Sequence, residues 1–221
     1  MSQPSKGSNA FPVKPESRTP KGTYNTLLDE SRKEQPSFTY GIGGCIDVET
    51  TGLFPNNDEV IELALVLFFY DRKTGEITEV LDEYTGLREP DCSIGRGAFK
   101  VHELTKRKLR GKDLDKGKIL ALLKQTDFLI SHNAIFDYSF VTPLFPEAAT
   151  KIWYCSMNGI SWRREGFSSK GLQNLLIEHG IEVAQSHRAL DDARAVVTLL
   201  GRYNKQGQPY LSELLKSSTL V

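Results

Sequence analysis

The chain has 221 residues, 39% hydrophobic and 25% charged, and its 28 basic and 28 acidic side chains give a formal net charge of +0. That length can bury one sizeable core. The balanced charge excludes a surface that is basic throughout, so any binding of a polyanion must rest on a local patch. Cys45, Cys92 and Cys155 are widely spaced and form no CxxC pair. Neither a disulfide framework nor a thiolate zinc site is expected, and a reducing cytoplasm is the expected compartment. No apolar run approaches membrane-spanning length, and the N-terminus lacks the apolar core of a signal peptide. No membrane partner is expected.

Residues 1–38 are rich in Pro, Ser, Lys, Gln and Asn. Such a segment cannot offset its ordering entropy by burial, so a disordered tail is expected there, with the folded domain over residues 39–221. From Gly43 the texture changes. GGCIDVE reads as a strand and VIELALVLFFYD (60–71) as a second. KTG (73–75) marks a hairpin turn, and EITEVLDEYTGL (76–87) alternates as a third strand. A short helical piece follows around GAFKVHEL (97–104), then a helix over DKGKILALLKQT (115–126). FLISHN (128–133) reads as a buried strand, with a helix opening at Asp137, and IWYCSM (152–157) as a fifth strand. SSKGLQNLLIEHG (168–180) reads as a helix with a serine cap and a terminal glycine, and SHRALDDARAVV (186–197) begins another. PYLSELLKSSTLV is at most a short amphipathic helix. Three meandering strands, then strands alternating with helices, predict an α/β fold with a mixed sheet flanked by helices.

Carboxylates stand where a core pattern would not put them. In IDVETTG (46–52), alternation sends Asp47 and Glu49 to one face. Two like charges at the end of a central strand are costly unless a cation lies between them. In SHNAIFDYSF, Asp137 falls in the first turn of a helix, where it also simply complements the helix dipole. In SHRALDDARAVV, a turn of about 100° per residue gathers Ala189, Ala193, Val196, Val197 and Leu200 on one face. Asp192 lies at the edge of that face, whereas Asp191 projects into solvent beside Arg188, Arg194 and Thr198. Glu62, within the second strand, stays unassigned between a further site carboxylate, a buried ion-pair partner and an outward-facing residue.

Taken in order, IDVETTG, HNAIFD and HRALDDA resemble the three motifs of the DEDDh 3′–5′ exonucleases, the superfamily of the proofreading subunit of bacterial DNA polymerase III and of ribonuclease T. The resemblance runs from about Gly43 to Tyr203 and takes in AFKVHELT and GLQNLLIEHGI. It implies a ribonuclease H-like fold with a five-stranded mixed sheet. It makes Asp47, Glu49, Asp137 and Asp192 the metal ligands and His187 the catalytic base. The family's histidine stands five positions before its final aspartate, a spacing met by Asp192 and not by Asp191.

Oxygen-only ligands suit Mg²⁺ or Mn²⁺, and two such ions roughly 3.5–4 Å apart can clamp both oxygens of an in-line phosphoryl displacement. The resemblance implies that Asp47 bridges both ions, that Glu49 and Asp192 complete the one activating the water, and that Asp137 supports the other. Nucleoside 5′-monophosphates leave from a 3′ end. Backbone donors of Thr50, Thr51 and Gly52 are expected to meet the terminal nucleotide, Leu53 to wedge against its base and Phe136 to pack on it. His102 and Asn133 line the same cleft by resemblance. KRKLRGK (106–112), Arg163, Arg164 and Lys170 offer a guide for phosphates or merely solvated charge. The expected substrate is single-stranded DNA. The rivals are trimming of RNA 3′ ends, a proofreading partner of a polymerase, a homodimer, and a binding module without catalysis. The last is disfavoured because all five motif residues are present. Only a short segment follows Tyr203, so a stand-alone enzyme, or one using its N-terminal tail, is expected.

Overall fold

The computed structural model describes residues 39–182 and 187–220, so the expected disordered tail lies outside the described residues. β1 (Tyr40–Thr50), β2 (Val60–Asp71) and β3 (Ile77–Leu87) form an antiparallel meander, with β1 beginning before the expected Gly43. The β2–β3 turn is held by Asp71, whose Oδ1 accepts the N–H groups of Lys73 at 2.8 Å and Thr74 at 2.9 Å. Gly75 completes it at φ 76°, where a Cβ would lie 2.7 Å from the Ser212 backbone.

Three helices follow: α1 (Arg96–His102), α2 (Lys106–Leu109) and α3 (Lys116–Gln125). The chain then returns through β4 (Phe128–Ser131), α4 (Ala134–Leu144), a 3₁₀ turn (Pro146–Thr150) and β5 (Ile152–Cys155). It closes with α5 (Ser156–Gly159), α6 (Leu172–Glu178), α7 (Ala189–Leu200) and α8 (Tyr210–Leu214). The five-stranded sheet has the order β3-β2-β1-β4-β5, with β4 parallel to both β1 and β5. This is the mixed α/β sheet that the pattern predicted.

Alternation along β1 and β2 divides the core between the two faces of the sheet. Cys45, Ala64, Val66 and Phe68 pack with Val196 and Leu200 of α7, Leu175 of α6 and Leu211 of α8. Ile46, Val48, Leu63 and Leu65 pack with Leu122 and Leu123 of α3 and Phe140 of α4. At Gly43 the missing side chain is filled by its cross-strand partner, because a Cβ there would come within 2.4 Å of the Phe68 ring.

Several element ends differ from expectation. β4 stops at Ser131, because Asn133 takes the left-handed conformation (φ 82°) that starts α4. β5 stops at Cys155, where Ser156 begins α5. α6 is shorter than 168–180 and its N-cap, Gly171, has no side-chain cap bond. The serine contributes differently: Ser169 Oγ accepts from the Gly171 N–H at 3.2 Å and from Asn174 Nδ2 at 2.8 Å. The basic run begins in a helix. Lys106–Leu109 forms a helical turn, capped by Thr105 and anchored by buried Leu109 against Ile61 and Leu104.

Candidate active site

The site forms where the carboxyl ends of the parallel pair β1 and β4 meet the N-terminus of α7, the position at which open α/β sheets offer a crevice. Asp47 and Glu49 share the face of β1 that α7 covers, since Cys45, two residues earlier, packs in the α7 core. The β1–β2 register sets Glu49 directly opposite Glu62, so Glu62 projects from the same face.

Carboxylate oxygens of Asp47, Glu49 and Asp192 lie within 4.8 Å of one another. Asp47 and Glu49 are half-buried and Asp192 is buried. Asp137 is carried by the first turn of α4 from the opposite face, and its Oδ1 accepts the Val48 N–H at 3.2 Å. That bond ties α4 to the strand segment between Asp47 and Glu49.

On α7, Ala189, Ala193, Val196, Val197 and Leu200 are all buried. Asp192 is 7% exposed at their edge. Its Oδ2 accepts the His187 N–H at 3.1 Å and its Oδ1 accepts from Gln173 Nε2 at 3.3 Å. Asp191 is partly covered rather than fully in water, 3.8 Å from Arg194 Nη1. Arg188 corrects the sequence reading more sharply. Instead of lying in solvent beside Asp191, it turns inward onto Glu62, with Nη2 2.6 Å from Oε1 and Nε 2.9 Å from Oε2.

Like charges crowd this cluster. Burial, then Asp137, Glu49 and Asp192, hold the Asp47 carboxyl well above the usual range. Burial followed by Asp192 and Glu62 pushes Glu49 to about 8, against a smaller opposing effect of Arg188. Burial takes Asp137 to about 8 despite the Val48 N–H. Burial also raises Asp192, opposed by His187. Hard oxygen donors that resist ionising together fit a divalent cation.

Comparison with known proteins assigns the family. The Exonuclease (RNase_T) family matches residues 45–200. The chain belongs to this exonuclease family. It is 27% identical over 187 residues to the PolC-type DNA polymerase III of Thermotoga petrophila, covering 76% of this chain and 12% of that protein. The subunit epsilon of DNA polymerase III from Treponema pallidum is 28% identical over 178 residues, covering 72% of this chain and 77% of that one. The chain thus spans about an eighth of the PolC-type relative. Among solved structures, an E. coli ExoI–ssDNA complex aligns with TM-score 0.61 at 20% identity, over 77% of this chain and 42% of that one. Exonuclease X with 5′-overhanging duplex DNA aligns at 0.54 and 20%, over 77% and 99%. At that identity the likeness is one of fold.

Around these carboxylates, the other residues singled out from the sequence are distributed unevenly. Thr51 corrects the expectation of a free backbone donor, because its N–H is committed to Glu59 O at 2.9 Å. Its Oγ1 donates to Asp58 Oδ1 and accepts from the Glu59 N–H, both at 3.0 Å. Thr50 Oγ1 donates to Gly52 O at 2.5 Å. The loop so fixed leaves Leu53 73% and Phe54 68% exposed; Phe54 was not singled out from the sequence. Phe136 is packed against Phe140 at 4.9 Å between centroids. His102 is buried, and its Nδ1 accepts the Leu104 N–H at 2.9 Å. Its Nε2 is turned towards the Thr50 backbone. Asn133 caps α4 through its backbone alone.

Asp47, His187 and Asp192 line a cleft of about 280 Å³ with His132 and residues 171–174. His132 Nε2 donates to Lys170 O and Nδ1 pairs with Ser156 Oγ, both at 2.9 Å. Burial lowers its pKa to about 4, so it is neutral. A larger cavity of about 490 Å³ is lined by Trp162, Arg163, Arg164, Phe167, Ser169 and Lys170, among others. It is not the carboxylate cleft, but it adjoins it at Lys170–Gly171.

Proposed function

We propose that the domain beginning at residue 39 is a metal-dependent 3′–5′ exonuclease releasing nucleoside 5′-monophosphates from single-stranded DNA. The observation that carries this is the convergence of Asp47, Glu49 and Asp192 oxygens within 4.8 Å, with His187 on the same cleft. Asp47, Glu49, Asp192 and Asp137 would hold Mg²⁺ or Mn²⁺, two ions per site. Bound there, the metal supplies Lewis-acid polarisation of the phosphodiester and makes the attacking water more acidic.

The chain's own groups do the rest. His187 is exposed at the cleft, where its imidazole takes the proton from the attacking water as general base. Asp192 fixes the position of that residue through the His187 N–H. His102, buried with its Nε2 turned towards the Thr50 backbone, supports the strand end that the terminal nucleotide meets, and the amide side chain of Asn133 serves as a donor to that nucleotide. Leu53 and Phe54 present apolar surface to its base, with Phe136 packed behind, and the backbone at Thr50 and Gly52 lines its approach. Arg163, Arg164 and Lys170 sit in a cavity without a carboxylate in its lining, which suits the phosphates of the strand leading to the cleft. The free thiols of Cys45, Cys92 and Cys155 fit a cytoplasmic setting.

Digestion of 5′-labelled single-stranded DNA and RNA of equal length, with Mg²⁺ or Mn²⁺ and with EDTA, tests the proposal. A metal-dependent ladder on DNA supports it. Absence of shortening of either polymer overturns it, and shortening of RNA alone establishes the RNA-trimming reading.

A further inference from the structure

Glu62 takes no part in the chemistry above, yet at 1% exposure it is the most buried acidic side chain in the site. It stands opposite Glu49 on the shared face of the sheet. Left free, it would add to the repulsion among the carboxylates and offer one more oxygen to a cation. Arg188 prevents both. Nε lies 3.2 Å from Oε1 and 2.9 Å from Oε2, and Nη2 2.6 Å from Oε1. The Ala189 N–H adds a bond to Oε2 at 3.4 Å. A planar guanidinium can cover both oxygens at once, which an ammonium cannot.

Arg188 is also the N-cap of α7 and follows His187 directly. His187 holds φ at 60°, the left-handed region, although it is not glycine. Such a conformation is strained for a side chain with a Cβ and persists where the surroundings over-determine it. The His187 N–H is held by Asp192 on one side. On the other side, the Glu62 clamp pins the next residue to the middle of the sheet.

We propose that Arg188, clamped on Glu62, is a positioning residue that keeps His187 over the catalytic cleft and keeps Glu62 out of the cation site. The inference rests on the exonuclease reading of that cleft. A buried partner 126 residues away in sequence acts here as the fixed point for a strained backbone.

Steady-state kinetics on a labelled oligothymidylate separate this from a merely structural role. Arg188→Ala should lower kcat roughly 100-fold with KM little changed, as expected for a misplaced catalytic group. Added guanidinium ion should restore part of that loss. Arg188→Lys, which keeps the charge and most of the packing, should remain as defective as Arg188→Ala. Unchanged kcat in Arg188→Ala, a loss confined to KM, or full activity in Arg188→Lys would each overturn the inference. Direct Mn²⁺ binding, followed by electron paramagnetic resonance, needs no turnover: Arg188→Ala should bind Mn²⁺ more tightly than the unaltered chain. If the unaltered chain shortens no oligonucleotide, the proposed function fails, and Mn²⁺ binding still decides the role of the clamp: equal affinity in both proteins refutes it.

Discussion

The backbone N–H of His187 donates to Oδ2 of Asp192 at 3.1 Å, so the exposed histidine and the buried carboxylate five positions later form one structural unit. Asp191, between them in sequence, has no share in it and faces Arg194. Asp192→Asn keeps an oxygen for the N–H while removing the charge. Its kcat on single-stranded DNA should fall by about 10³-fold or more, the scale of losing a catalytic group. Asp191→Asn removes a partly exposed pair worth about 1 kcal/mol at most and should stay within about threefold of the unaltered protein. Comparable activity in the two variants, measured side by side with Mg²⁺, would contradict the separation of the aspartates.

The raised carboxyl groups make the metal-free protein pH-sensitive. Glu49 and Asp137 sit at about 8 in the folded chain, against about 4 in an unfolded one. Below pH 4 both states hold the protons and nothing is lost. As pH rises towards 8 the unfolded chain gives them up while the folded one keeps them, so stability falls and then levels off. His132, lowered to about 4 by burial, works the other way, but only below about 6.5. Without metal, the melting temperature should therefore drop between pH 6.5 and 8.5. Added Mg²⁺ or Mn²⁺ should raise it more at pH 8.5 than at 6.5. Asp137→Asn should flatten the metal-free profile, as followed by thermal denaturation in EDTA.

Thr51 closes the loop that displays Leu53 and Phe54, through its bonds to Asp58 and Glu59. Thr51→Val keeps the shape and removes both side-chain bonds, costing about 1–2 kcal/mol. If that loop seats the terminal base, KM for oligonucleotides should rise by about tenfold, the factor carried by 1.4 kcal/mol, while kcat changes little. A kcat loss without a change in KM would argue that the loop acts on the catalytic groups instead.

Gly43 faces Phe68 across β1 and β2, and a Cβ would meet that ring at 2.4 Å. Gly43→Ala overfills the core and should destabilise by about 1–3 kcal/mol. Denaturant unfolding should show the loss. The activity of the protein that remains folded should be unaffected, because the strand end bearing Asp47 is unchanged.

Local periodicity carried much of the site. Alternation along β1 put Asp47 and Glu49 on one face, and the turn of α7 put Asp192 at the edge of its buried stripe and Asp191 away from it. These relations depend only on backbone geometry within one element, so they can be read from sequence. What depends on register or on distant partners could not be. Glu62 stayed unassigned because its role is decided by the β1–β2 pairing and by Arg188, 126 residues away. Arg188 read as a surface cation, since nothing local says that it turns inward. The Thr51 amide read as free because the strand pairing that consumes it lies across the loop at Glu59. A serine of SSKG read as a helix cap, but α6 starts later, and the Ser169 hydroxyl instead ties Gly171 and Asn174. The carboxylates and their faces belong to the sequence, because one chain segment suffices to orient them. Their convergence, and the clamp behind His187, belong to the tertiary structure, because only the packed sheet brings β1, β2, α4 and α7 to one place.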